Sequence, residues 1–400
     1  MKRKLNVQKG LVTFTIITSL CCNISATSAP QQYIDFVTGS VEDKTTLLEN
    51  LTISPNSPEL VASIPEEALE FVQETVPLIG TGSGMKELTV AAVPLMQVRT
   101  QRQGALLWNI FTLFDDSQVR VAVLDAMTAT VDSNKRLVSP YLEGLHTFVA
   151  ESVATNAEDS STSVAAISLL GRMADPSSFE LLFRLMNSGT SPELSQAIED
   201  ALCAVIPSSQ TTLLRHISQN TYSSLEKYRL FLLVQKNEQI SPLFKAEMAE
   251  KALSTTIINV EDVSQTDSST ISLQLAAVQQ IADADWTRAA ATVADYYLIA
   301  QTQFSEELIT QEQFLGIVSC MEGLATSHSV SALINHLGVL NLAAAQEPAS
   351  VNEEVLLAVI NSLGALGDKA AFDNLLYVTY LPYPEAITTA ARTALAGLKW

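Results

Sequence analysis

The stretch LGRMADPSSF, residues 170–179, decides the fold, because it returns as LGALGDKAAF at residues 363–372. The two copies share leucine, glycine, aspartate and phenylalanine in register. Each copy follows an apolar run with helical spacing and precedes a second such run, so the repeating unit is a helix pair. One pair alone cannot bury its apolar faces. The sequence therefore predicts an all-α fold, a right-handed α-solenoid of stacked antiparallel helix pairs.

Helix starts are marked by a capping residue directly before proline. A capping side chain accepts a backbone hydrogen bond, and proline at the first helical position needs no N–H. The five such capping residues are Ser57, Ser139, Asp175, Ser191 and Ser241. The predicted pairs are 118–130 with 140–154, 163–174 with 176–187, 192–205 with 209–219, 224–235 with 242–254, 269–282 with 286–301, 305–325 with 329–345 and 353–366 with 370–378, followed by a last helix over 384–398. Asp175 and Asp368 are predicted to cap second helices.

The residues before this array differ from it. Segments 33–51, 58–79 and 85–114 have helical spacing but lack the leucine-glycine signature, and they contain Pro65, Pro77 and Pro94. They are interpreted as an atypical capping section. Three polar connections, 155–162, 259–270 and 346–352, follow second helices and are expected on one edge, either as specificity-bearing insertions or as tolerated surface loops.

The signature Leu170-Gly171 with Asp175, its copy Leu363-Gly364 with Gly367-Asp368, and the segment SQVRVAVLDA at 117–126 resemble HEAT repeats, an armadillo-type helical family, above all the short bacterial kind. The resemblance extends from residue 117 to the C-terminus and implies a curved protein-binding scaffold. Some members act as lyases, or lyase partners, for bilin chromophores, but no motif here supports that activity.

The N-terminus has the pattern of an export signal. Lys2, Arg3, Lys4 and Lys9 precede the apolar run 11–22, whose 12 residues are too few to cross a bilayer of roughly 30 Å. Small residues at 26–28 predict cleavage before residue 29. The predicted organisation is a signal peptide over 1–28, a capping section over 29–114 and HEAT-like repeats over 115–400. The mature chain is expected in the periplasm or outside the cell.

A lipid anchor is the alternative fate of the N-terminus. It requires acylation of Cys21 or Cys22, yet Cys21 follows Leu20 rather than a small residue. The remaining thiols, Cys203 and Cys320, are several repeats apart, so they are predicted to be buried and unpaired.

Charge excludes two classes of partner. Loss of the signal's four positive charges takes the net charge from −20 to about −24, which disfavours nucleic acid and anionic lipid. Between residues 29 and 80, nine acidic residues accompany one base, Lys44: Asp35, Glu42, Asp43, Glu49, Glu59, Glu66, Glu67, Glu70 and Glu74. This acidity indicates either a protein partner with a basic surface or a solvated face that maintains solubility.

No residue constellation in the sequence indicates a reaction. His146, His216, His328 and His336 lack a zinc-binding pattern and are interpreted as structural. The loop over 80–86 lacks the Gly-Lys-Ser/Thr of a P-loop, and its Ser83-x-x-Lys86 spacing lacks a Lys-Thr-Gly partner, so a flexible turn is expected.

Aromatic residues leave two interpretations open. Trp108, Trp286, Trp400 and the pair Tyr296-Tyr297 are either exposed anchors for a partner or core residues at helical spacing. The sequence thus predicts an exported, non-enzymatic scaffold or adaptor without catalytic, cofactor or metal residues. The alternatives are an enzyme, or enzyme subunit, with its site in a concave groove, and a lipid-anchored envelope assembly factor.

Overall fold

A computed structural model describes residues 30–54, 56–154, 160–258, 262–347 and 351–399. Within these ranges the fold is all-α, and no strand longer than an isolated bridge between Asp368 and Lys399 occurs. The helices are α1 (Gln31–Thr38), α2 (Val41–Asn50), α3 (Glu59–Ala62), α4 (Ile64–Ile79), α5 (Ser83–Ala92), α6 (Gln101–Leu113), α7 (Ser117–Asn134), α8 (Leu142–Ala154), α9 (Ser161–Met173), α10 (Phe179–Met186), α11 (Pro192–Val205), α12 (Gln210–Ser218), α13 (Ser224–Lys236), α14 (Pro242–Ile258), α15 (Ser268–Asp283), α16 (Ala290–Ser305), α17 (Gln311–Leu324), α18 (Ser327–Gln346), α19 (Glu353–Leu366), α20 (Phe372–Val378) and α21 (Glu385–Ala396). The part of the chain over these ranges contains no helix with both the length and the hydropathy of a membrane span.

The all-α prediction is confirmed, and the repeat helices lie close to their predicted positions. Helices α11 and α19 have the predicted bounds. The three predicted N-terminal segments are wrong as single helices, because Gly39-Ser40 separates α1 from α2, Ser63 separates α3 from α4, and a 3-10 turn containing Pro94 follows α5. Ser305 ends α16 instead of starting α17.

The chain divides into two compact units, one ending at Pro140 and the other beginning at Tyr141. In the first unit, α4 packs against α5 and α6, α2 packs against α5, and α6 packs against α7. Its core includes Ile64, Leu69, Leu88, Leu107 and Ile110, all fully buried. The predicted division after residue 114 concerns the repeat pattern and stays a prediction.

In the second unit, helices pack against the next helix and the next but one. Two series of packed helices result: α13, α15, α17, α19 and α21 form one, and α12, α14, α16, α18 and α20 form the other. At the start of this unit, α9 packs against α11. The helices are therefore stabilised by neighbours that are close in the sequence.

Four turns between paired helices have a common geometry. Each contains one residue with a left-handed backbone: Ala174 (φ 44°), Asp285 (φ 47°), Ala325 (φ 50°) and Gly367 (φ 69°). Four residues later, each turn has a small, fully buried residue: Ser178, Ala289, Ser329 and Ala371. The small residue admits the second helix to the core directly after the turn. This turn geometry therefore occurs at four places in the described part of the chain.

The signature glycines allow close packing between helices. A Cβ atom on Gly171 of α9 would lie 2.6 Å from Cα of Ala201 in α11, and one on Gly364 of α19 would lie 2.9 Å from Cα of Ala394 in α21. No side chain fits at such distances, so only glycine permits these approaches. The glycine has the same role in both copies of the signature.

The signature aspartates cap the start of the second helices, as predicted. Asp175 Oδ1 accepts a hydrogen bond from the backbone N–H of Ser177 at 3.0 Å, and Asp368 Oδ1 accepts one from Ala370 at 2.9 Å. Each capped residue lies in a 3-10 turn that leads into α10 or α20.

Of three other residues that are predicted to cap a helix before proline, one does so. Ser191 caps α11. Ser57 instead accepts from the backbone N–H of Ser54, and Ser139 donates to the carbonyl of Lys135. A capping residue before proline therefore does not by itself fix a helix start.

Candidate functional site

The groove between α9 and α11 is the open cavity of the second unit closest to the first signature. Its volume is about 560 Å³, and its floor is the contact between Gly171 and Ala201. Arg172, Glu193 and Asp200 bring charge to its walls, with Ser168, Gln196 and Gln239 beside them. The described lining contains no histidine, cysteine or tyrosine. The groove can hold a polar segment, but it offers few groups for proton transfer.

His336 and Tyr297 form a buried pair between α18 and α16. The Tyr297 hydroxyl and Nδ1 of His336 form a hydrogen bond of 2.5 Å, and Phe314 stacks on the Tyr297 ring. Burial lowers the pKa of His336 to about 4 and raises the pKa of Tyr297. The imidazole is therefore neutral at pH 7, and its hydrogen bond to the hydroxyl has a packing role.

His216 lies in an aromatic cluster that covers it. Phe179, Phe183 and Tyr222 have ring centroids 4.6–5.5 Å from its imidazole, and only 2% of the residue is exposed. Nε2 lies 2.9 Å from Oε2 of Glu180, but the orientation does not make a hydrogen bond. Burial lowers the pKa of His216, which outweighs the opposing effect of the Glu180 charge.

Glu180 also connects this cluster to the surface. Its Oε1 accepts a hydrogen bond from the Tyr222 hydroxyl at 3.1 Å, while burial and this carboxylate raise the pKa of Tyr222 to about 12. Glutamate, histidine and tyrosine thus meet at one point. Because the imidazole is enclosed by rings, the arrangement holds the chain after α12 against α10 and leaves no space for a substrate at the histidine.

The other two histidines lie elsewhere. His146 Nε2 is 2.8 Å from Oγ of Ser178, and burial lowers the pKa of His146. His328 is exposed in the first turn of α18. Over the described ranges, no three histidine, cysteine or acidic side chains are grouped as metal ligands would be.

The glycine-rich loop before α5 has a structural contact. Lys86 Nζ lies 2.7 Å from Oδ2 of Asp116, the residue that caps α7. The hydrogen bond from Lys86 lowers the pKa of Asp116. This lysine is therefore engaged between two helices of the first unit and is not available to a phosphate at the loop.

The core interpretation of the aromatic residues is confirmed for the tyrosine pair, and the two described tryptophans are half-buried. Tyr296 and Tyr297 are core residues, because both are fully buried. Trp108 stacks on Phe111 with ring centroids 5.1 Å apart. Trp286 is tied at the surface, where its Nε1–H donates to Glu250 at 2.6 Å and Arg288 lies over its ring. Trp400 is outside the described residues.

Two predicted features of the thiols can be compared with the structure. Cys320 is buried, and burial raises its pKa to about 12, while Cys203 is half-buried. Both are free, as predicted. Cys21 and Cys22 and the whole predicted signal, 1–28, lie outside the described residues, as do residues 155–159, 259–261 and 348–350 of the three polar connections.

One surface of the first unit was not predicted. Large apolar side chains are exposed on α1 and α4, and they are accompanied by unneutralised acid. We call this surface the α1–α4 face: Ile34, Val37, Phe71, Glu74, Leu78 and Ile79. The acidity of this region is visible in the sequence. The exposure of its apolar side chains is not, because these residues have the helical spacing of a core. The nine-to-one ratio of acid to base was the available signal.

Comparisons with known proteins add little. No protein-family model matches the chain, and no curated protein matches it. Among solved structures, a crystal structure described as an engineered protein is similar, with 13% identity over 92% of this chain and 98% of the other, at a TM-score of 0.36. A similarity at this level assigns neither a family nor a function. What the chain shows by itself is an all-α protein with many packed helices and repeated turns.

Proposed function

We propose that this chain is an exported, non-enzymatic scaffold or adaptor that binds a protein partner through the surface of a HEAT-like, right-handed α-solenoid. The four turns of common geometry support stacked helix pairs as the repeating unit. The close contacts at Gly171 and Gly364 support repetition, since each joins a first helix to the next first helix.

One observation carries the preference for binding over catalysis: the largest pKa shifts among the described side chains belong to groups that are enclosed by the core. His336, Tyr297 and Cys320 are all buried. An active site needs such groups where a substrate reaches them. The accessible surfaces instead combine small, polar and acidic residues in the α9–α11 groove with exposed apolar residues on the α1–α4 face.

Export and the choice of partner are argued from composition. The basic, apolar start of the chain supports a signal peptide, and a mature charge near −24 supports a partner with a basic surface. Intact mass of the exported protein tests two points together. A start at residue 29 agrees with the signal, whereas added acyl mass on Cys21 or Cys22 favours the lipid-anchored alternative.

Binding is tested in two steps. Affinity capture of the exported chain from its own envelope supplies candidates, and each candidate is then purified and titrated against the chain alone. A true partner is expected to form a complex with purified components, and its association rate should fall as salt rises, since fields are screened over about 10 Å at 0.1 M salt. The proposal is wrong if no purified candidate binds. If the association rate of a confirmed partner does not depend on salt, the partner's basic surface is no longer part of the proposal.

A further inference from the structure

Side chains connect α1 and α4 at two points. The Tyr33 hydroxyl donates to both carboxylate oxygens of Glu67, at 3.1 and 3.0 Å. Four residues further along both helices, Lys44 Nζ lies 3.5 Å from the carbonyl of Val37 and 5.9 Å from the ring centroid of Phe71. The first contact joins α1 to α4 directly, and the second joins them through Lys44 of α2, so Val37 and Phe71 lie near the same ammonium group.

The α1–α4 face exposes large apolar side chains in a helical pattern. Leu78 is 83% exposed and Ile79 is 69% exposed, while Val37 on α1 is 54% exposed. Phe71, Glu74 and Leu78 are spaced at i, i+3 and i+7, so they lie on one stripe of α4 about 10 Å long. Exposed apolar residues that are grouped in this way mark a surface for binding.

The acid around the stripe has few counter-charges. Glu66 accepts from Gln103, and Glu70 is paired with Arg102. The next acid on α4, Glu74, is exposed and has no ion pair among the described residues. Lys44, the one base between residues 30 and 80, directs its ammonium to the carbonyl of Gly39 at 2.5 Å. Glu74 therefore keeps a negative charge on the apolar stripe, whereas the ammonium near Phe71, that of Lys44, is bound to backbone carbonyls.

We propose that the α1–α4 face docks a basic amphipathic helix of the partner protein. This rests on the proposed function, because it names the chemistry of the partner and the surface that receives it. The apolar side of such a helix covers Val37, Phe71, Leu78 and Ile79. Its lysine or arginine residues then meet the acid at the margin, and this pairing orients the helix.

Charge repulsion disfavours two other occupants of the α1–α4 face. A second copy of this chain would bring one acidic face against another, and like charges would repel. An anionic membrane surface would be repelled in the same way. The chain's own N-terminal segment has suitable chemistry, with four basic residues before an apolar run. Binding of this segment to the face is one outcome of the test.

The probe is a synthetic 18-residue leucine–lysine peptide with leucine at i, i+3, i+4 and i+7, titrated against the full chain by fluorescence anisotropy. A scrambled peptide of the same composition and a leucine–glutamate peptide are the controls. The test variant carries Leu78→Ser and Ile79→Ser. The matched control variant carries Leu243→Ser and Leu298→Ser, two exposed leucines of the second unit at 64% and 55% exposure.

We expect the ordered basic peptide to bind the wild type, and the Leu78→Ser, Ile79→Ser variant to bind it at least tenfold more weakly. The matched control variant should bind it as the wild type does. Glu74→Lys should reduce the association rate about threefold at low salt, because a marginal charge acts on encounter. Since every substituted side chain is exposed, the variants should fold, which circular dichroism and the unfolding midpoint check.

Several results overturn the assignment. Equal binding of the scrambled peptide, no loss in the Leu78→Ser, Ile79→Ser variant, or an equal loss in the matched control variant removes the face as a docking site. Sedimentation that shows a wild-type dimer and a monomeric test variant assigns the face to a second copy. A tenfold gain in affinity after replacing Lys2, Arg3, Lys4 and Lys9 with serine assigns it to the chain's own N-terminus. A purified natural partner that still binds in any of these cases preserves the scaffold function without this surface.

Discussion

Helices α9 and α17 both contain glycine within the helix, but their surroundings differ. In α9, Gly171 lies against the backbone of Ala201. In α17, a Cβ atom on Gly316 or Gly323 would meet no atom within 4 Å. Glycine costs roughly 1 kcal/mol relative to alanine within a helix. In α9, the close approach of a second helix offsets this cost, whereas nothing described in this chain offsets it on the outer side of α17.

The role of a glycine within these helices depends on its surroundings. The inner side of α17 is tightly packed, because Phe314 stacks on both Tyr297 and Phe304. Only the outward side is open. The same residue type is therefore a packing requirement in one helix and an unoffset cost in another, and the neighbouring helix makes the difference.

The largest expected effect comes from adding a side chain where two helices are in close contact. Gly171→Ala and Gly364→Ala each place a methyl group within 3 Å of a helix backbone, so the helices must separate. Each change should lower the free energy of unfolding by about 2–3 kcal/mol. Urea unfolding measures it, with Gly316→Ala as the matched control. Unchanged midpoints in both variants would show that the close contacts are not required.

The pH dependence of stability tests the packing on the inner side of α17. His336 has a pKa of about 4 in the folded chain and about 6.5 when unfolded, so the unfolded state binds more protons between these values. Stability should therefore fall as the pH drops from 7 to 5, by about 2 kcal/mol from this histidine. His216 and His146 act in the same direction, so the measurement is the difference between wild type and His336→Gln. Parallel pH profiles would contradict the buried, neutral imidazole.

The two signature copies are compared by removing their caps. Asp175→Ala and Asp368→Ala each leave a backbone N–H without its side-chain acceptor, so each should cost about 1 kcal/mol. Asn at either position keeps an acceptor and should restore most of the loss. If Asn is as destabilising as Ala, the aspartate acts through its charge instead of through the cap.

The smallest expected effect is a gain in stability. Gly316→Ala and Gly323→Ala add a methyl group in open space and remove flexibility from the unfolded chain, so each should stabilise α17 by ~0.5–1 kcal/mol. Differential scanning calorimetry can resolve the double variant. A loss of stability would mean that the outward side of α17 is covered in solution, and the contrast with α9 would disappear.

Much of the fold could be predicted from local signals. The bounds of α11 and α19 followed from Ser191-Pro192 and from the apolar spacing after Asn352, because capping and periodicity act over a few residues. The breaks at Gly39-Ser40 and Ser63 were missed because apolar spacing continues across them. Ala174 and Ala325 gave no sign of a left-handed backbone, since alanine rarely adopts one.

The candidate surface could be predicted only in part. The acid count before residue 80 was visible, but Leu78 and Ile79 have the same spacing as buried residues such as Val72 and Val76. Which stripe of a helix faces solvent depends on which helices pack against it. For the same reason, Gly171 could be recognised as unusual, while its contact with Ala201, thirty residues later, could not.

Packing between near neighbours also sets the path by which the second unit assembles. Every substantial helix contact there joins helices no more than two apart in the chain, so ordering one pair closes only short loops. Assembly can then start at any well-packed pair and extend in both directions, without waiting for distant segments to meet. A nascent chain of this kind can acquire structure before its C-terminus is synthesised. The last described helix, α21, packs against α19 and α20, so the helices that it needs precede it in the chain.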